Sequence, residues 1–190
     1  MKKEFLYEML QTGSVSGNEV PLQKKCIEFM KDVADRVMTD ETGDVTHVIN
    51  PSSPIKIMFS GHIDEIGLMV THILENGMLK VASVGGIRTS MYLGHKVRIY
   101  TKKGILYGAV LCNSSLIKNK ELSASDLTID IGASSKEEAM NVVELGDTMT
   151  IDEDVRELLN DCITARAMDN RIGAFIVLEA LRRAKEKGCQ

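Results

Sequence analysis

Two short segments hold residue types that could bind and use a metal ion. His62 and Asp64 stand two apart in Ser60-Gly61-His62-Ile63-Asp64-Glu65-Ile66-Gly67, directly after an apolar run. In an extended backbone, residues two apart project from one face, so the imidazole and the carboxylate are neighbours. A histidine that ligates a metal through one ring nitrogen donates the other to a carboxylate or carbonyl, which fixes its tautomer and raises its basicity. Asp64 is placed to accept that bond. The same spacing also fits a histidine hydrogen-bonded at a strand end without any metal. Gly61 before the pair and Glu65-Ile66-Gly67 after it make a tight, sterically undemanding strand exit.

Asp169 is the second half of the pattern, in Ala167-Met168-Asp169-Asn170-Arg171-Ile172-Gly173. It falls between a predicted strand and a predicted helix, the position where open α/β sheets gather ligand-binding groups. Its two oxygens could bridge two cations, as co-catalytic hydrolytic sites with metals about 3.5–4 Å apart require. An aspartate at a helix start can equally serve as an N-cap. Glu65 adjoins the site but should point away from the Asp64 side, and Glu179 and Glu186 lie inside or at the end of the closing helix. His47, His72 and His95 are read as paired or exposed, the last two because no carboxylate stands at ligand spacing. Gly85-Gly86 lacks the strand, turn and helix of a phosphate loop.

The elements that must position these groups alternate between helix and strand in the first third. Residues 5–11 read as a short helix. Ser16-Gly17-Asn18-Glu19 has capping-box spacing, with Pro21 tolerated in the first turn of a helix expected to reach about Asp35 and to bury Val20, Ile27, Met30 and Ala34. Residues 45–49 and the apolar run 55–59 read as strands, the second bounded by Pro51-Ser52-Ser53-Pro54. From Ile66 to about Thr150 the pattern is β-rich. Residues 97–101 and 105–111 face each other across Lys102-Lys103-Gly104 as a hairpin, and 127–131 alternates as a half-buried strand. One helix interrupts this stretch at 136–143, with Ser134 as its cap signal. A strand at 162–167 and a helix with an apolar stripe of Ile172, Phe175, Ile176, Leu178 and Leu181 close the chain. The simplest organisation is α/β and discontinuous: residues 1–72 and 161–190 form one α/β domain, and 73–160 form an inserted antiparallel β-barrel.

Composition bounds the function classes. The 190 residues are 44% apolar with a formal net charge of −4, enough to build cores and without a basic stripe for nucleic acid. Lys102-Lys103 reads as a hairpin tip, and Arg182, Arg183, Lys185 and Lys187 as the solvated end of a helix. Met1-Lys2-Lys3-Glu4-Phe5 lacks the apolar run of a secretory signal, and no stretch is apolar enough to span a membrane, so a cytoplasmic protein is expected. Cys26, Cys112, Cys162 and Cys189 have no short paired spacing, and mostly apolar neighbours suit them as reduced thiols.

Six ordered segments together carry a family resemblance. Gly61-His62-Ile63-Asp64-Glu65-Ile66-Gly67, Gly85-Gly86, Leu93-Gly94-His95-Lys96-Val97, Asp130-Ile131-Gly132-Ala133-Ser134-Ser135-Lys136-Glu137-Glu138-Ala139, Gly146-Asp147 and Met168-Asp169-Asn170-Arg171-Ile172-Gly173 resemble, in order and spacing, the tetrahedral (TET-type) metallo-aminopeptidases. Members are called glutamyl or deblocking aminopeptidases, and often endoglucanases. The resemblance covers nearly the whole chain and implies a Zn²⁺- or Co²⁺-dependent enzyme with two metals per complete active site, acting on peptide substrates and self-associating through its inserted barrel. By motif position, His62 would ligate one metal, Asp64 would act as the catalytic aspartate that orients His62, and Asp169 would bridge both metals. Asn170 stands where relatives often have a second aspartate, and the stretch Leu111-Cys112-Asn113-Ser114-Ser115-Leu116 departs from the pattern. The resemblance also implies a catalytic glutamate followed by an acidic ligand after the closing helix, with further aspartate and histidine ligands later; this chain contains none of them. The α/β catalytic domain is therefore expected to be incomplete and inactive alone. The alternative is a non-catalytic oligomerisation or binding module derived from that family.

Overall fold

The structure is a computed structural model that describes residues 2–189. The chain divides into two compact units, one built from the residues up to Asp64 and those from Asp154 onward, the other from Glu65–Glu153. These boundaries come earlier than 72/73 and 160/161, because the strand that follows Glu65 pairs inside the barrel and Val155 packs among the helices of the other unit.

The first unit is held by three helices, α1 (Lys3–Gln11), α2 (Val20–Met30) and α5 (Met168–Glu186). Phe5, Leu6, Met9 and Leu10 of α1 meet Leu22, Cys26 and Met30 of α2 and Ala174, Phe175 and Leu178 of α5, all buried. The rings of Phe5 and Phe29 stack with centroids 3.8 Å apart. Burial pushes the Cys26 thiol up to about 11, whereas Cys112, Cys162 and Cys189 are exposed and lie outside the apolar surroundings expected for them. Two small antiparallel ladders complete the unit. The strands β1 (Arg36–Thr39) and β2 (Val45–Val48) pair from Arg36↔Val48 to Thr39↔Val45, and further along the chain Arg156–Glu157 pairs with Ile163–Thr164.

The second unit is a closed six-stranded antiparallel barrel. Its strands are β3 (Gly67–Ile73), β4 (Leu79–Val84), β5 (Lys96–Thr101), β6 (Gly104–Val110), β7 (Ile129–Asp130) and β8 (Thr148–Ile151), in the order β3-β4-β7-β6-β5-β8, with β8 returning to β3. Closure follows from two-residue periodicity. Leu68, Val70, Leu79, Val81, Val97, Ile99, Ile129 and Met149 alternate inward and are almost completely buried. The predicted hairpin is present with Thr101 opposite Gly104, and Lys102 at its tip binds Glu144 at 2.6 Å. Short helices α3 (Ser114–Lys118) and α4 (Lys136–Met140) and single 3-10 turns at Thr89–Tyr92 and Ala124–Asp126 fill the connections. The cap of α4 is Ser135, one residue later than expected, while Ser134 binds the Glu138 carboxylate. After the barrel come β9 (Arg156–Glu157) and β10 (Ile163–Thr164), already described as a ladder.

Four expectations for the first unit are corrected. The helix from Val20 ends at Met30, and Arg36–Thr39 is a strand that the helical reading obscured. Val20 is exposed, and the buried stripe is Leu22, Cys26 and Met30. Residues 55–59 pair with no strand among the described residues, and Ile55, Ile57, Met58 and Phe59 are each more than 70% exposed. Apolar content favours a strand only where a neighbouring strand supplies the ladder bonds. The predicted strand 162–167 reduces to Ile163–Thr164. Among the described residues no helix is long and apolar enough to cross a membrane.

Candidate functional site

The chain leaving residues 55–59 reaches the first turn of α5 at Gly61. A Cβ there would lie 2.8 Å from both the nitrogen and the Cα of Ala174, so only a glycine permits this approach. The approach sets the imidazole of His62 beside Asp169. Ala167 takes a left-handed conformation (φ 57°, ψ 21°) and occupies the N-cap position, while Asp169 (φ −89°, ψ 109°) and Asn170 (φ −121°, ψ 34°) are not yet helical. The peptide between Asp169 and Asn170 is cis. Asp169 is thus not the N-cap of α5, and its side chain is 96% exposed beside His62.

The side chains form a directed series. Nδ1 of His62 lies 2.7 Å from Oδ1 of Asp64, and Nε2 of the same ring faces Oδ1 of Asp169 at 3.5 Å. The other Asp64 oxygen, Oδ2, accepts a hydrogen bond from the Ser16 hydroxyl. That hydroxyl, followed by the bond from His62, holds the Asp64 carboxyl below the usual carboxylate range against the opposing effect of partial burial. Between His62 and Asp64 the Ile63 carbonyl is fixed by two donors, Ser14 Oγ at 2.5 Å and Arg171 Nε at 3.2 Å. Arg171 is fully buried on α5, and its Nη1 also donates to the carbonyls of Met9 at 2.7 Å and Leu10 at 3.3 Å.

The structure brings together all three residues singled out by spacing, His62, Asp64 and Asp169. Two donors on one tetrahedral ion with bonds of about 2.0–2.1 Å stand about 3.4 Å apart. The 3.5 Å between His62 Nε2 and Asp169 Oδ1 fits that requirement, and the Asp64 bond leaves Nε2 as the free nitrogen. No third ligand joins them: among the described residues no group of three or more His, Cys, Asp or Glu side chains is placed to hold an ion. Glu65 is buried, Glu179 is bound to Arg182 and Arg183, and Glu186 is bound to Arg182. His47 on β2 is partly buried, which lowers its pKa below the ordinary histidine value.

Sequence reasoning missed Ser14, Ser16 and Arg171. Ser16 was assigned to a capping box, but the N-cap of α2 is Glu19 and makes no side-chain cap bond. A positive-φ glycine, Gly17 (φ 90°), separates Ser16 from the helix and leaves its hydroxyl for Asp64. A serine just before such a glycine, with a carboxylate awaiting a second donor, is the signal that could have revealed it. Arg171 gave a weaker signal, since a guanidinium between apolar helix positions usually turns to solvent.

The M42 glutamyl aminopeptidase family matches residues 43–190. The lysyl aminopeptidase of Pyrococcus furiosus is 30% identical over 191 residues, a match that covers 96% of this chain and 55% of that protein. Among solved structures, the TET aminopeptidase of a marine sediment Thaumarchaeota archaeon superposes with a TM-score of 0.90 at 32% identity, covering 99% of this chain and 55% of the other. The TET1 peptidase of Pyrococcus horikoshii, which can assemble into a tetrahedron or a large octahedral shell, gives a TM-score of 0.87 at 33% identity over 97% of this chain and 57% of its own. The fold shared with these structures is a mixed α/β one with a six-stranded closed barrel. The chain belongs to the M42 glutamyl aminopeptidase family, and it spans about half the length of the relatives it matches.

Proposed function

We infer that this chain supplies part of the metal centre of an aminopeptidase that removes N-terminal residues from peptides. The observation that carries the reading is the His62 ring, with Nδ1 bonded to Asp64 and Nε2 turned to the Asp169 carboxylate at 3.5 Å. His62 would hold an ion through Nε2. Asp64 would be the catalytic aspartate that holds the ring in the tautomer leaving Nε2 free, and Asp169 would be the carboxylate shared by the two ions. Nitrogen and carboxylate donors suit Zn²⁺ or Co²⁺, two per complete site. Such ions supply an activated water and polarise the peptide carbonyl. The exposure of His62 and Asp169 keeps both within reach of an ion from solution.

With His62 and Asp169 as the direct ligands, the centre lacks the three or four that zinc sites normally use. This chain alone therefore binds Zn²⁺ or Co²⁺ weakly and does not turn over peptides. The assembly of the Pyrococcus horikoshii relative supports self-association as part of the same reading, and the exposed apolar run 55–59 is a surface that such contacts would cover.

Calorimetric titration with Zn²⁺ tests the proposal. Weak binding is expected from the unaltered chain, and a loss of about tenfold or more in affinity is expected on His62→Ala or Asp169→Ala. Two tight stoichiometric sites, or a site that survives both replacements together, would overturn the ligand assignment. Chelator-sensitive release of chromophore from aminoacyl p-nitroanilides by the homogeneous chain would overturn its inactivity.

A further inference from the structure

Among the described residues the Ser16 hydroxyl is the side-chain donor on the second oxygen of Asp64, and it stands where a helix cap was expected. Ser14 and Val15, the two residues before it, are completely buried, so the backbone that presents Ser16 is anchored. Gly17 turns the chain at φ 90°, Asn18 N donates to Val15 O at 2.7 Å, and Gly17 N donates to Glu19 Oε1 at 2.7 Å. The hydroxyl therefore points back to Asp64 instead of down the axis of α2. The backbone beside Asp64 is fixed separately, by Ser14 and Arg171 on the Ile63 carbonyl.

We propose that Ser16 is a positioning residue for the metal-ligating pair: by holding Oδ2 of Asp64 it keeps Oδ1 on His62 Nδ1, and so keeps the His62 Nε2 lone pair available. The proposal rests on the reading of His62 as a ligand. A carboxylate held at one oxygen cannot swing its other oxygen away from the imidazole, whereas a carboxylate held only by the imidazole can rotate and accept from water. A free neutral histidine places its proton mainly on Nε2, so the Asp64 bond has to reverse the ring's own preference. Ser16 contributes to that reversal without touching the ring, the ion or the substrate.

Long-range ¹H–¹⁵N NMR of the His62 ring, recorded on the metal-free chain at a pH where the ring is neutral, separates the two tautomers. The unaltered chain is expected to show mainly the form protonated on Nδ1. Ser16→Ala should raise the form protonated on Nε2 several-fold, and Ser16→Thr, which restores a hydroxyl, should return the ratio towards that of serine. A folded Ser16→Ala chain with an unchanged ratio overturns the role of Ser16 and leaves the ligand reading intact. A ring already protonated on Nε2 in the unaltered chain also overturns the role of Ser16, and leaves the ligand reading to the Zn²⁺ titration. If Ser16→Ala does not fold, Ser16→Cys, which keeps the volume with a weak donor, is judged by the same ratio.

Discussion

The barrel unit and the helical unit differ in how their backbones are completed. In the barrel every strand has a partner on each side and β8 returns to β3, so the backbone bonds and the inward apolar residues are satisfied within Glu65–Glu153. Among the described residues of the helical unit the strands form isolated two-stranded ladders, and residues 55–59 expose four large apolar side chains and join no ladder. The site lies on the helical unit, at the exit from the unpaired segment. A chain can thus carry a self-sufficient scaffold and a site whose own support is far less complete.

The largest effect that tests this contrast comes from removing core volume. Ile99→Ala, deep in the barrel, is expected to cost about 2–5 kcal/mol in chemical denaturation, whereas Phe59→Ser in the exposed run should stay within about 0.5 kcal/mol. Hydrogen exchange should agree, with slow amides on the barrel strands and fast ones across residues 55–59. Similar costs at the two positions, or equal protection in the two regions, would erase the difference between the units.

A smaller effect is expected from Gly61→Ala. The added Cβ would meet Ala174 backbone atoms at 2.8 Å, which cannot yield as a flexible side chain would. The segment through Gly61 must then shift, at about 1–3 kcal/mol. Faster exchange in the first turns of α5 with unchanged barrel amides is the expected signature, and unchanged exchange in both would remove Gly61 from the architecture of the site.

The smallest effect concerns pH. Glu179 is buried between Arg182 and Arg183, and the Arg182 guanidinium, followed by Arg183, pulls its carboxyl from 4.5 down to about 2. A lowered folded-state pKa gives stability that is fully present above pH 4.5 and is lost as pH falls towards 2. Glu179→Gln should therefore destabilise the chain at pH 7, by about 1 kcal/mol, with the difference shrinking between pH 4.5 and 2. A difference independent of pH would mean that packing, and not the ion pairs, holds this turn of α5.

The barrel was the more legible unit because alternation is a local property: Val97, Ile99 and Ile129 announce their inward face without knowledge of their partners. The run 55–59 has similar apolar character but becomes a strand only if another strand lies beside it, which no local pattern encodes. The brief β1 was hidden because residues next to a helix end share its composition, and α3 because five residues give no period. That His62, Asp64 and Asp169 come together was legible from residue type and spacing. Ser16 was not, because a serine three residues before a glutamate fits a capping box and a distant carboxylate equally well, and only the turn at Gly17 decides between them.

Arg171 has a consequence beyond the geometry it fixes. The carbonyls of Met9 and Leu10 belong to the last turn of α1, where a helix has no internal donors left, and the same guanidinium holds the Ile63 carbonyl between His62 and Asp64. Unwinding the end of α1 would leave a buried cation short of acceptors, so fraying there is coupled to release of the segment that carries the candidate ligands. The end of α1 and the His62–Asp64 pair should open in one cooperative event, which makes the last turn of α1 a thermodynamic latch on a site some fifty residues further along the chain.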